Sequence, residues 1–197
     1  MDHPTITLVR HGETAGESSI RYHGRNDVPL NDVGIEQMRR VAAALRKHRF
    51  DQVYTSTLSR AVVAAGIIAP EAPCTALSGF DEIHFGDWEG LTAAEIEARD
   101  AELYRRWRAD VAGFHYPGGD SVVGFRRRVA ECFAELRPQL PEHTLIVVHK
   151  GVIAALLAEL LGAPLDAALP WAIDLGSIHR TENNGDGWHL VAANVVP

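Results

Sequence analysis

Two short apolar runs stand out along the chain, residues 5–9 (TITLV) and 144–148 (TLIVV). Both are rich in β-branched residues and bounded by polar ones, the pattern of strands covered on both faces of a sheet. Residues 51–55 (DQVYT) and 187–195 (GWHLVAANV) are further strand candidates, and the alternation of the second suits an edge. Helical spacing fills the intervals. Met38, Val41, Ala42 and Leu45 recur on one face after the cap-like pair Asn31-Asp32. Residues 58–69 are rich in alanine and isoleucine and stop at Pro70, and Thr92 with Glu95 forms a T-x-x-E capping pattern that opens a helix predicted to reach about Asp110. Helices over 121–137 and 152–161 end at Pro138 and Gly162. Strands alternating with helices predict an α/β chain, a three-layer α/β/α sandwich around a mostly parallel central sheet. Residues 73–90 and 113–120 read as long loops, which in such folds commonly line the site.

Composition narrows this picture. A chain of 197 residues with 46% hydrophobic and 23% charged residues has the make-up of a soluble globular domain. Without repeat, low-complexity tract or linker, a single domain over residues 1–197 is expected. The net charge of −7 disfavours nucleic acid or an anionic membrane as a bulk partner, and no apolar run approaches the ~20 residues of a membrane span. The two cysteines, Cys74 and Cys132, have neither a CxxC nor a zinc-type spacing, which suits a reducing compartment. The N-terminal Met1-Asp2-His3-Pro4 enters a strand with no basic, apolar leader, so a cytoplasmic location is expected. The oligomeric state stays open, with a homodimer among the options. Ten histidines raise the question of a metal, but no HExxH or similar cluster occurs, and no metal or other cofactor is expected. The Arg126-Arg127-Arg128 run on a predicted helix reads as a solvated face.

The chemistry concentrates where the two apolar runs end. One leads into Arg10-His11-Gly12, the other into His149-Lys150-Gly151. In a parallel sheet both histidines emerge at the carboxyl ends of their strands, the side on which open α/β sheets bind ligands. Further motifs follow in order: Arg21 to Gly34 with a glycine, Gly24, ahead of Asp27-Val28-Pro29-Leu30; Ser56-Thr57-Leu58-Ser59-Arg60-Ala61; Glu82 to Gly90 (EIHFGDWEG); and Tyr116 to Ser121 (YPGGDS). Together with Arg10-His11-Gly12 and His149, this ordered set resembles the histidine phosphatase superfamily, whose fold is phosphoglycerate mutase-like. Its size and D-V-P-L stretch are similar to the α-ribazole phosphatase-like branch and to the broad-specificity sugar-phosphate phosphatases of that family.

That resemblance implies a metal-independent phosphatase acting on a small phosphomonoester, with His11 as the nucleophile of a phosphohistidine intermediate. Arg10, Arg60 and His149 are implied as the catalytic phosphate cradle, and Glu82 as the acid/base, with Glu13 as an alternative. Arg21 and Gly24 fall in the segment implied to contact substrate or phosphate. Within that family the short connection between Glu82 and His149 resembles the phosphatases, with a phosphoglycerate-type phosphomutase as the alternative; a non-catalytic phospholigand-binding protein is a further alternative, supported only by Glu17 and Lys150. Three departures from the family pattern stand out. Glu17 occupies a place where asparagine is common, with Ser18 or Ser19 as substitute donors. Lys150 replaces a glycine that a strand-to-helix turn could require. Ala64-Ala65 replaces a T-A pair, with only packing consequences expected.

Overall fold

The computed structural model describes residues 3–164 and 172–197. Met1 and Asp2, the start of the leaderless stretch, lie outside the described residues. The strands are β1 (Thr5–Arg10), β2 (Gln52–Thr55), β3 (Cys74–Ala76), β4 (His143–Val148), β5 (Ile178–Asn183) and β6 (Trp188–Val195). They form a six-stranded sheet in the order β3-β2-β4-β1-β5-β6. The four strands β1 to β4 run parallel, and β5 and β6 complete the sheet antiparallel. The helices are α1 (Asp32–Leu45), α2 (Ser59–Ile68), α3 (Ala93–Arg99), α4 (Ala101–Ala109), α5 (Val122–Leu136) and α6 (Lys150–Leu160).

The continuous apolar runs of β1 and β4 arise because both faces of the sheet are covered. Val9, Leu145 and Val147 pack with Met38 of α1 and Ala64 of α2 on one side. Ile6, Leu8, Ile146 and Val148 pack with Phe133 of α5 and Leu156 of α6 on the other. A strand whose successive side chains meet two apolar layers has no reason to alternate. At the sheet edge β6 does alternate between half-buried and exposed positions, as its sequence predicts. Ala64 and Ala65 are buried between α2 and the sheet.

Three differences from the sequence reading have local causes. The helix expected from Thr92 to Asp110 breaks at Asp100, whose backbone leaves the helical region (φ −151, ψ 86) and whose carboxylate accepts the N–H of Leu103 to start α4. Aspartate is a better N-cap than helix-interior residue, and that preference overrides the helical spacing. The stretch 73–90, read as loop, contains β3 and two short 3₁₀ turns. Strand β5 has no apolar run in its sequence because its fully buried residues, His179 and Thr181, are polar side chains.

Candidate active site

The register of the sheet brings the two histidines together. In the parallel pair β1–β4, Arg10 lies opposite Val148, so the next residues, His11 and His149, leave adjacent strands at the same level. The N–H of His11 donates to the carbonyl of Val148 at 3.1 Å, and the two imidazole centroids stand 5.1 Å apart at 65°. Both rings are buried. They sit at the carboxyl ends of β1 and β4, where the chain reverses its progress across the sheet, a natural place for a cleft.

A cleft of about 370 Å³ opens there, and His11, His149, Arg10, Arg60, Glu82, Arg21 and Gly24 all line it. A carbonyl can only accept, so the 2.7 Å contact between His11 Nδ1 and the Gly12 carbonyl places the proton on Nδ1 and leaves the Nε2 lone pair available. Burial, then Arg60 and Arg10, hold the His11 imidazole well below its ordinary value and therefore neutral. Burial, Arg60 and His11 do the same for His149. His149 Nε2 lies 2.7 Å from the buried Ser56 hydroxyl, while its Nδ1 is buried without a hydrogen-bond partner.

The two arginines are fixed from behind. Arg60, only 2% exposed, donates to the carbonyls of Gly24 at 2.6 Å and Asn26 at 2.7 Å. Gly24 has φ +46 and lies against the Ile83 carbonyl and the Glu89 carboxylate, so no side chain fits where its carbonyl must meet Arg60. Arg10 donates to the Ile173 carbonyl at 2.8 Å. The Nε atoms of both arginines are buried and without a partner. Three buried polar atoms of the residues that line the cleft with His11 have no hydrogen-bond partner: Arg10 Nε, Arg60 Nε and His149 Nδ1. An unpaired buried donor costs about 1–3 kcal/mol, a burden that an oxyanion would relieve.

Glu82 is buried, with Oε1 accepting the N–H of Ile83 and Oε2 that of Gly151, each at 2.9 Å. A Cβ at Gly151 would lie 2.4 Å from Glu82 Oε1, so glycine is needed here. Position 150 has no such need: Lys150 is the first residue of α6 and carries ordinary helical backbone, exposed on the rim of the cleft.

The remaining candidates divide clearly. Arg21 lines the cleft, but its guanidinium is already held by Glu17 at 3.2 Å, Glu95 at 2.8 Å and the Gly90 carbonyl at 2.8 Å, which anchors one loop to another. Glu17 has φ 62, pairs with Arg21 and does not line the cleft, which removes the charge conflict with a phosphate. Ser18 and Ser19 do line it. Glu13 lies outside the lining and spends its carboxylate on the N–H groups of Thr14 and Ser19.

Two supporting residues were not singled out from sequence. Ser56, the first residue of its motif, fixes His149. Arg128 corrects the reading of its run as a solvated face. Its guanidinium donates to the carbonyls of Ser78, Gly79, Asp81 and Glu82 and lies 5.2 Å from the Phe125 ring centre, tying α5 to the loop that carries Glu82. Of the three arginines, Arg127 is the exposed helix-face residue, 4.0 Å from Glu131. Among the described residues, no three His, Cys, Asp or Glu side chains are grouped to hold a metal ion, and no helix is long and apolar enough to cross a membrane. Cys74 and Cys132 are free thiols.

Behind Arg10 lies a polar network with a pH consequence. Asn194 donates its backbone N–H to Nδ1 of the fully buried His179 at 3.3 Å, and its side chain bonds the backbone and carboxylate of Asp174, next to Ile173. Protonating Nδ1 would set one N–H against another, and burial pushes His179 down to about 4. The unfolded chain therefore holds this proton more tightly than the folded one. The stabilisation is complete above pH ~6.5 and is lost as pH falls towards 4, with a span worth about 3 kcal/mol. His11 and His149 add to the same slope. Urea unfolding between pH 7.5 and 4.5 is expected to show this loss, and His179→Gln to flatten it; equal slopes in the two proteins would rule out His179 as a source.

Two buried histidines and two arginines thus meet at one cleft of an α/β fold. The sequence profile of the histidine phosphatase superfamily (branch 1) matches residues 6–196, and the chain belongs to that family. It is 33% identical over 174 residues to the adenosylcobalamin/α-ribazole phosphatase of Escherichia coli K12, covering 87% of this chain and 86% of that protein. It is 32% identical over 171 residues to the glucosyl-3-phosphoglycerate phosphatase of Mycolicibacterium vanbaalenii, covering 82% and 76%. The crystal structure of the α-ribazole phosphatase from Shigella flexneri superposes with a TM-score of 0.86 at 30% identity, over 97% of this chain and 96% of that one.

Proposed function

We propose that this chain is a metal-independent phosphatase that hydrolyses a small phosphomonoester through a phosphohistidine on His11. The observation that carries this reading is the set of unpartnered buried atoms on Arg10, Arg60 and His149 around a neutral His11 whose Nε2 lone pair is free. The relatives named as phosphatases act on organic phosphates, α-ribazole phosphate and glucosyl-3-phosphoglycerate by their names, and a cleft of about 370 Å³ suits a ligand of modest size.

In this mechanism His11 Nε2 attacks phosphorus while the ester P–O bond breaks. Arg10 and Arg60 take the equatorial oxygens as charged, forked donors, and His149 Nδ1 donates the third contact, with Ser56 accommodating its other nitrogen. Glu82 gives its proton to the departing alkoxide. It then takes a proton from the water whose oxygen attacks the phosphohistidine, which frees His11 and releases orthophosphate. The backbone N–H groups of Ile83 and Gly151 hold the carboxyl in place through both steps.

The test is a rapid-quench experiment in excess EDTA with a labelled phosphomonoester. Acid-labile, base-stable label on His11 during turnover is expected. Turnover abolished by the chelator, or label absent from His11, would overturn the reading. The acid role of Glu82 predicts a second result. In Glu82→Gln, kcat/KM for an alkyl phosphate should fall by about 10²–10⁴-fold, while that for p-nitrophenyl phosphate, whose leaving group needs no proton, should change little. Equal losses on both substrates would assign Glu82 to positioning alone.

A further inference from the structure

At the opposite end of the sheet lies a second, larger cleft, of about 720 Å³. It opens at the amino ends of the parallel strands, where Thr5 starts β1 and His143 starts β4, and at the far end of β5. The length of β1 separates it from the histidine pair by about 16 Å. Its wall is built from the segment after α1, which contributes Lys47, His48, Arg49, Phe50 and Asp51, and from Arg180 and Glu182 of β5.

The charges of this cleft are unequally satisfied. Both acidic groups are engaged: Asp51 accepts the backbone N–H of His143 at 3.0 Å, and Glu182 pairs with Arg180 at 3.1 Å. Two of the three cations are not. Lys47 and Arg49 are exposed and have no ion-pair or hydrogen-bond partner among the described residues. Arg180 is pinned by Glu182 and by a 3.0 Å contact from its Nη1 to His48 Nε2, yet its Nε is buried without a partner. Lys47, Arg49 and Arg180 against Asp51 and Glu182 give this cleft a positive balance on a chain of net charge −7, a local exception that favours anions.

We infer that this cleft is a second anion site, separate from the catalytic one, and that it takes a diphosphate-bearing ligand. Arg180 lies on the sheet while Lys47 and Arg49 belong to the loop after α1, so cations line the cleft from two elements, an arrangement that two linked phosphate groups can engage together. The cleft volume is ample for a nucleoside diphosphate. This inference does not depend on the reaction proposed for His11.

The experiment is a titration of the wild-type chain with non-hydrolysable methylenediphosphonate, following the imidazole ¹H–¹³C signals of all histidines. His48 and His143 are expected to shift with their own saturation curve, distinct from any change at His11 and His149. In the double variant Lys47→Gln/Arg49→Gln, which alters only exposed side chains, that curve should weaken at least tenfold while kcat/KM on p-nitrophenyl phosphate stays unchanged. A parallel titration with ADP distinguishes the source: tighter binding than the diphosphonate assigns a nucleotide, and equal binding assigns the bare diphosphate. Shifts confined to His11 and His149, or a His48 curve that persists unchanged in the double variant, would overturn the inference.

Discussion

Replacing His11 by alanine is expected to lower kcat/KM on p-nitrophenyl phosphate by about 10⁴-fold or more, because the Nε2 lone pair that carries the covalent intermediate is lost. His149 is the nearest substitute, but its Nε2 is committed to Ser56. The fold should survive, since the change removes a buried ring that lines the cleft and leaves the β1–β4 register untouched. Thermal unfolding and phosphate binding separate the two effects: Arg10, Arg60 and His149 remain, so orthophosphate should still bind to His11→Ala. Retention of more than about one-hundredth of the wild-type kcat/KM would mean that direct attack by water, not His11, carries the reaction.

Arg60→Ala is expected to cut kcat/KM by about 10²–10³-fold, the usual consequence of losing one preorganised donor to a developing oxyanion. It also predicts a shift that mere loss of binding would not give. Arg60 is the second cause, after burial, of the lowered His11 titration. Without it, His11 becomes easier to protonate, and the acid limb of kcat/KM against pH should move to higher pH. Arg60→Lys should restore little, because one ammonium cannot reach the carbonyls of Gly24 and Asn26 and still present a planar fork to phosphate. An acid limb that stays in place in Arg60→Ala would show that Arg60 does not set the protonation of His11. Stability should change less than activity. The two carbonyls lose partners, but a buried cation that opposes Arg10 and both histidines is also removed.

The fold was legible wherever burial and hydrophobicity coincide. Residues 5–9 and 144–148 declared themselves as doubly covered strands, and the endings of these two strands carried His11 and His149. Where buried positions are polar, the same reasoning had nothing to read, and β5 with His179 and Thr181 passed unnoticed. The break at Asp100 shows the opposite case, in which a local cap outweighed a periodic pattern. Departures from the family pattern were visible as letters but not as consequences. Glu17 looked like a negative charge against a phosphate until its left-handed backbone and its pairing with Arg21 took it out of the cleft. Lys150 looked like a missing glycine, while the glycine that the packing requires is Gly151.

By itself, then, the sequence determined the α/β class, the strand ends that hold the two histidines and the residue types that a phosphate cradle needs, because these depend on short-range pattern and on side-chain chemistry. Tertiary structure alone decided which of those residues are free to act. Arg21 and Arg60 are both arginines in motif segments, yet Arg21 is consumed by two carboxylates and a carbonyl, while Arg60 keeps Nε unpaired in the cleft. Arg128, in a run that reads as solvated, grips four carbonyls of the Glu82 loop. The physical reason is the same each time: a side chain's role is set by the partners that satisfy it, and those partners lie tens of residues away along the chain.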